Sequence, residues 1–140
     1  MKVFIDTGAF CSIANKKDKE HQILSNILNS LVTKKAIFYT SNFILSETYT
    51  LIRFRVSHIN AVKFMNEFEF SNIKALRVSQ DIEDRAKEIF KQYKDKTFSF
   101  VDCTSFSLID AHSFDHVLTL DSHFYQYHFS NPVTILPAKL

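Results

Sequence analysis

Short unbroken apolar runs alternate along this chain with stretches whose apolar residues recur every three or four positions. The first run is Val3-Phe4-Ile5, and Asp6 ends it. An apolar run of this length predicts a strand buried on both faces. Residues 36–40, 75–78, 116–120 and 133–136 read the same way, and the fourth of these strands ends at Asp121. Between them the period changes to that of a helix. Residues 18–32 place Ile23, Leu24, Ile27, Leu28 and Leu31 on one face, with Asp18 as N-cap. Helices are also predicted over 41–56, 58–68, 80–93 and 99–113, with short ones over 7–14 and 122–127. Strands alternating with helices imply right-handed crossovers. The expected fold is α/β: a three-layer α/β/α sandwich around a mainly parallel sheet of about five strands, as one domain over residues 1–140.

Composition narrows this picture. The chain has 140 residues, 46% hydrophobic and 23% charged, which suits a folded core and excludes a disordered chain. A single glycine, Gly8, argues against an all-β fold with its many tight turns. Net charge is only +2, so any hold on nucleic acid comes from a local patch or a metal. Cys11 and Cys103 lack metal-binding spacing and read as core thiols in a reducing cytosol. No targeting segment or membrane span is visible, so the expected location is cytoplasmic.

The candidate chemistry lies in four acids. Asp6 and Asp121 each follow an apolar strand, where a helix cap is an equally good reading for either alone. Glu47 lies four residues after Phe43 and four before Leu51, on the apolar stripe of its helix. A carboxylate there is costly unless paired or bound to a metal; the bland alternative is an edge position, or a pair with Arg53. Asp102 faces the core side of its helix start, and Ser99 with Asp102 also fits a loose capping box. If the first and fourth strands are neighbours, Asp6 and Asp121 flank the crevice at the sheet's switch point. Clustered carboxylates without cysteine select Mg²⁺ or Mn²⁺, ions suited to phosphodiester hydrolysis.

VFIDTGAF around Asp6, TSNFILSETYTL around Glu47, FSFVDCTSF around Asp102 and TLDSHF around Asp121 together resemble the PIN-domain family. The resemblance spans essentially the whole chain and is nearest to the VapC-type ribonuclease toxins of prokaryotes. It implies strand order 3-2-1-4-5 and a metal-dependent endoribonuclease acting on RNA. It also implies a homodimer and an antitoxin partner. Asp6, Glu47, Asp102 and Asp121 match the family's acidic positions, with Glu47 reaching the metal directly or through water. Thr7 and Ser105 match supporting polar positions. Leu120 stands where Phe is frequent.

Lys16, Arg53 and His123 are the candidates for contact with RNA; for each the alternative is a solvated side chain. His112 and His116 are spaced as in a helical metal pair, but His116 opens a predicted strand, which breaks the shared face. The string Ile5-Asp6-Thr7-Gly8 also matches an aspartic-protease signature, which the helical periodicity and lone glycine exclude. Two other roles remain open at this stage: a stand-alone RNA-processing nuclease, and a PIN-like binding module without turnover.

Overall fold

The computed structural model describes residues 1–138. Its order is β1 (Lys2–Ile5), α1 (Thr7–Ala14), α2 (His21–Thr33), β2 (Ile37–Ser41), α3 (Asn42–Arg55), α4 (His58–Phe70), β3 (Lys74–Leu76), α5 (Gln80–Gln92), α6 (Phe100–His112), β4 (His116–Leu118) and β5 (Thr134–Leu136), with a 3₁₀ turn over Ser122–Tyr125 before β5. The five strands form one sheet in the order β3-β2-β1-β4-β5. All four pairings are parallel. Both match the expectation.

β1 lies in the centre because its side chains are apolar on both faces. Val3, Phe4 and Ile5 are all buried, as a strand covered by helices on either side requires. Val117 and Leu118 of β4 are buried beside them. β1 pairs with β2 on one side and β4 on the other, so the order in which strands are added turns back between β1 and β4. That is the switch point at which α/β sheets open a crevice beyond their carboxyl ends.

The phenylalanine-rich composition has a local purpose. Phe106 of α6 stacks on Tyr127 with ring centroids 4.5 Å apart. Phe98, Phe124 and Phe129 meet the same ring edge-on at 5.0, 5.0 and 5.7 Å. Edge-to-face packing of this kind is favourable beyond its buried area. It ties the loop before α6 to the segment after β4, and both of those segments carry site residues.

Several boundaries differ from expectation. α2 begins at His21, and Asp18 caps nothing there: its Oδ1 accepts the Glu20 amide at 2.8 Å in the turn before the helix. A short side chain closing a local turn competes with helix capping. β4 stops at Leu118, two residues early. Leu118 pairs with Ile5, the last residue of β1, so Thr119 and Leu120 have no ladder partner on that side. β3 is displaced toward the N-terminus and covers Lys74–Leu76. Turns that need left-handed backbone use Lys35 (φ 59°) and Ser113 (φ 55°), so the lone glycine is not what makes them.

Candidate active site

β1 delivers Asp6 to the carboxyl edge of the sheet. Asp6 precedes α1 with extended backbone (φ −91°, ψ 165°), yet its side chain makes no capping bond to the helix. The carboxylate is only 5% exposed. Its Oδ2 accepts the Thr119 hydroxyl at 2.8 Å, a link across the β1–β4 seam. The same Thr119 oxygen accepts the Asp121 amide at 3.0 Å, fixing the segment that leaves β4. The simple cap reading of Asp6 therefore fails.

Asp102 arrives on the first turn of α6. Ser99 accepts the Asp102 amide and Asp102 Oδ2 accepts the Ser99 amide, each at 3.0 Å, which completes the capping box. The helix-cap reading is correct here, and it does not compete with a site role. The cap is what points the carboxyl group. Asp121 behaves in the same way, with its Oδ1 accepting the His123 amide at 2.9 Å at the start of the 3₁₀ turn.

His123 joins these two acids. Its Nδ1 lies 3.1 Å from Asp102 Oδ2 and 2.9 Å from Asp121 Oδ1. Ligand atoms of Asp102, Asp121 and His123 all fall within 4.8 Å of one another. The sequence offered one signal for this, the placement of His123 two residues beyond Asp121.

The electrostatics are those of crowded acids. Burial pushes Asp6 up to about 7, while the Thr119 hydroxyl and Thr7 amide pull it back, and the charges of Asp102 and Asp121 push it further up. Burial also lifts Asp102 to about 6, with the neighbouring Asp121 charge next in weight. Nearby like charges and desolvation both disfavour ionised carboxylates. The hydroxyls of Thr7 and Ser105 are buried with no hydrogen-bond partner among the described residues. Buried polar atoms are rarely left so. Thr7 directly follows Asp6, and Ser105 lies one helical turn beyond Asp102.

Glu47 stands outside the tight group. It is half-buried on the wall of a cleft of about 440 Å³, with Phe43, Leu51 and, from α6, Val101. Val101 precedes Asp102 in α6, but Asp6, Asp102 and Asp121 do not themselves line this cleft. Arg53 and Lys16 are exposed. Arg55, eight residues beyond Glu47, shares its face of α3 more closely than Arg53 does. Its charge is felt by Cys11 on α1, together with those of Glu47 and Asp6. Cys11 and Cys103 are free thiols, and burial raises both to about 11.

A parallel sheet in this order, with aspartates gathered over its switch point, defines a class of α/β/α proteins built to present carboxylates at one edge. Residues 3–130 match the PIN domain, and the chain belongs to that family. Among curated proteins it is 28% identical over 122 residues to the 23S rRNA-specific endonuclease VapC20 of Mycobacterium tuberculosis, covering 87% of this chain and 91% of the relative. The crystal structure of that organism's VapC20, described as a sarcin-ricin loop cleaving toxin, superimposes with TM-score 0.81 at 26% identity, covering 91% of this chain and 95% of that one. VapBC2 from Rickettsia felis, solved with a DNA fragment from its promoter, gives TM-score 0.72 at 16% identity over 96% and 97% of the two chains. At that identity the likeness is one of fold.

Proposed function

We propose that this chain is a metal-dependent endoribonuclease, the toxin of a toxin–antitoxin pair. One observation carries the reading: Asp102 and Asp121, from separate parts of the chain, stand with His123 within 4.8 Å of one another, and Asp6, just outside that group, feels the charge of both acids and is held, like Asp102, above its ordinary pKa. Such a cluster is stabilised by a cation and destabilised without one. The residues fit Mg²⁺ or Mn²⁺. The donors are carboxylate oxygens, and the partnerless Thr7 and Ser105 hydroxyls are suited to waters in the coordination shell. Asp6, Asp102 and Asp121 would hold the ion, with Glu47 reaching it directly or through water.

A bound Mg²⁺ or Mn²⁺ supplies Lewis acidity toward a phosphate oxygen and lowers the pKa of a coordinated water. The protein's own groups do the rest. Thr119 holds one Asp6 oxygen, so that carboxylate cannot swing away from the seam. The Ser99–Asp102 box fixes the second carboxylate, and the 3₁₀ turn fixes the third. Glu47, on the cleft wall, orients the attacking water and accepts its proton. Lys16 and Arg53, both exposed, meet flanking RNA phosphates. The named VapC relatives support RNA as the substrate and an antitoxin as partner; the working form we propose is a homodimer. Among the described residues no helix is long and apolar enough to cross a membrane.

The test is cleavage of a labelled rRNA fragment by purified protein. Cutting should require Mg²⁺ or Mn²⁺, stop with EDTA and return when Mn²⁺ is added in excess. Cutting that persists in EDTA would refute the reading.

A further inference from the structure

The geometry points to Thr97 and His123 as a positioning pair that fixes which oxygens of Asp102 and Asp121 are left for a cation. This rests on the nuclease reading above only for the identity of what those oxygens bind. The pairing itself is a matter of hydrogen-bond chemistry.

A neutral imidazole carries its proton on one ring nitrogen and a lone pair on the other. His123 Nδ1 faces two carboxylate oxygens, Asp102 Oδ2 at 3.1 Å and Asp121 Oδ1 at 2.9 Å. A lone pair there would face acceptors and repel both. A proton there donates to Asp102 Oδ2 and presents its charge to Asp121 Oδ1. Nδ1 is therefore the protonated nitrogen and Nε2 the acceptor. Thr97 Oγ1 lies 2.8 Å from Nε2, and a hydroxyl donates into that lone pair. The ring plane is set separately, by edge-on contact with Phe98 at 5.5 Å and 79°. Residues 97–99 thus hold the whole arrangement: Thr97 anchors the ring at Nε2, Phe98 sets its plane, and Ser99 holds the Asp102 carboxylate.

The consequence is a sorting of oxygens. Asp102 Oδ2 accepts from both the Ser99 amide and His123. Asp121 Oδ1 accepts the His123 amide and has the His123 ring Nδ1 beside it at 2.9 Å. The protein's donors converge on one oxygen of each acid, and Asp102 Oδ1 and Asp121 Oδ2 are the oxygens offered to the ion. Partners that orient metal ligands in this way are typically felt as a 10–100-fold change in metal affinity when removed.

The experiment compares the parent with Thr97→Val and Thr97→Ser, using nitrogen-15 NMR of labelled histidine at pH 8 and calorimetric titration with Mn²⁺ alone. Thr97 is exposed, so both variants should keep the parent's melting temperature. The parent should show His123 protonated at Nδ1. Thr97→Val should shift the His123 Nε2 resonance, which loses its hydrogen bond, and weaken Mn²⁺ binding about 10-fold, while Thr97→Ser restores both. A parent protonated at Nε2 would overturn the pairing, as would a Thr97→Val protein that binds Mn²⁺ like the parent. A parent that takes up no Mn²⁺ at all would instead refute the metal-nuclease reading, and with it the role of the pair.

Discussion

At the amino end of the sheet, Lys2 is surrounded by groups that suit a cation. Its Nζ donates to the His112 carbonyl at 2.6 Å and lies over the rings of Phe114 and Tyr39 at 4.8 and 5.3 Å. Its backbone amide donates to Asp115 Oδ2 at 2.7 Å. At the carboxyl end of the same strand, Asp6 is surrounded by groups of its own sign. Asp102 and Asp121 both push its pKa up. β1 is four residues long, so these opposite conditions are barely a dozen ångströms apart. One end is a finished clasp. The other gathers acids whose repulsion a proton or a cation relieves, and perturbed acids of this kind cluster at functional sites.

The sharpest way to break this contrast is Asp6→Asn. The amide keeps the shape, can still meet Thr119 and removes the repelled charge. RNA cleavage should fall roughly 10³-fold, on the scale of losing one preorganised electrostatic partner. The melting temperature without metal should hold or rise. An Asp6→Asn protein that cut at the parent rate would place the chemistry elsewhere.

pH gives the next largest effect. Asp6 sits at about 7 in the fold against an ordinary 3.8, so the folded protein keeps a proton that the unfolded chain releases. Its contribution to stability is full below the unfolded value, is lost as pH rises toward the folded one, and is level above it. Asp102, raised to about 6, adds a loss in the same direction. Denaturant midpoints in EDTA should therefore decline between about pH 4 and 7, by up to a few kcal/mol from these groups. Saturating Mg²⁺ should flatten the slope, and Asp6→Asn should remove much of it.

Lys2→Met tests the other end. It keeps the apolar stem and deletes the cation, and should cost about 1 kcal/mol in chemical denaturation. Turnover should be unchanged, because the clasp is not part of the site. The smallest change is Gly8→Ala. Gly8 lies inside α1, and an added Cβ would meet Leu120 Cβ at 3.6 Å, an ordinary contact. Stability should hold or rise by up to about 1 kcal/mol, with cleavage retained.

Hydrophobic periodicity made the sheet and its helices legible, because burial on both faces of β1 and one face of each helix leaves a direct trace. Glu47 was read onto the apolar stripe of α3, but the buried face is Ile44, Leu45, Thr48 and Ile52, and Glu47 sits half-buried at its edge on a cleft wall, the alternative position. Asp102 was ambiguous between cap and site, and that ambiguity was real: one carboxylate serves both. The Thr119–Asp6 bond was not legible. It joins residues 113 positions apart, and nothing local marks which polar group a topology will bring near. The Thr97–His123 contact, 26 positions apart, was hidden for the same reason. Asp18 misled because a capping side chain and a turn-closing side chain look alike in sequence.

The Ser99–Asp102 box and the Asp6–Thr119 bond also differ in when they can form. The first spans three positions and is available as soon as α6 coils. The second needs β4, near the end of the chain, to have reached β1. During synthesis, then, the central strand and α6 emerge with their acids in place but apart. The segment that follows β4 then brings Asp121 and closes the seam. A chain that stops short of β4 carries Asp6, Glu47 and Asp102 without the partner that fixes Asp6, so the candidate site is a product of the closed sheet and of no single segment.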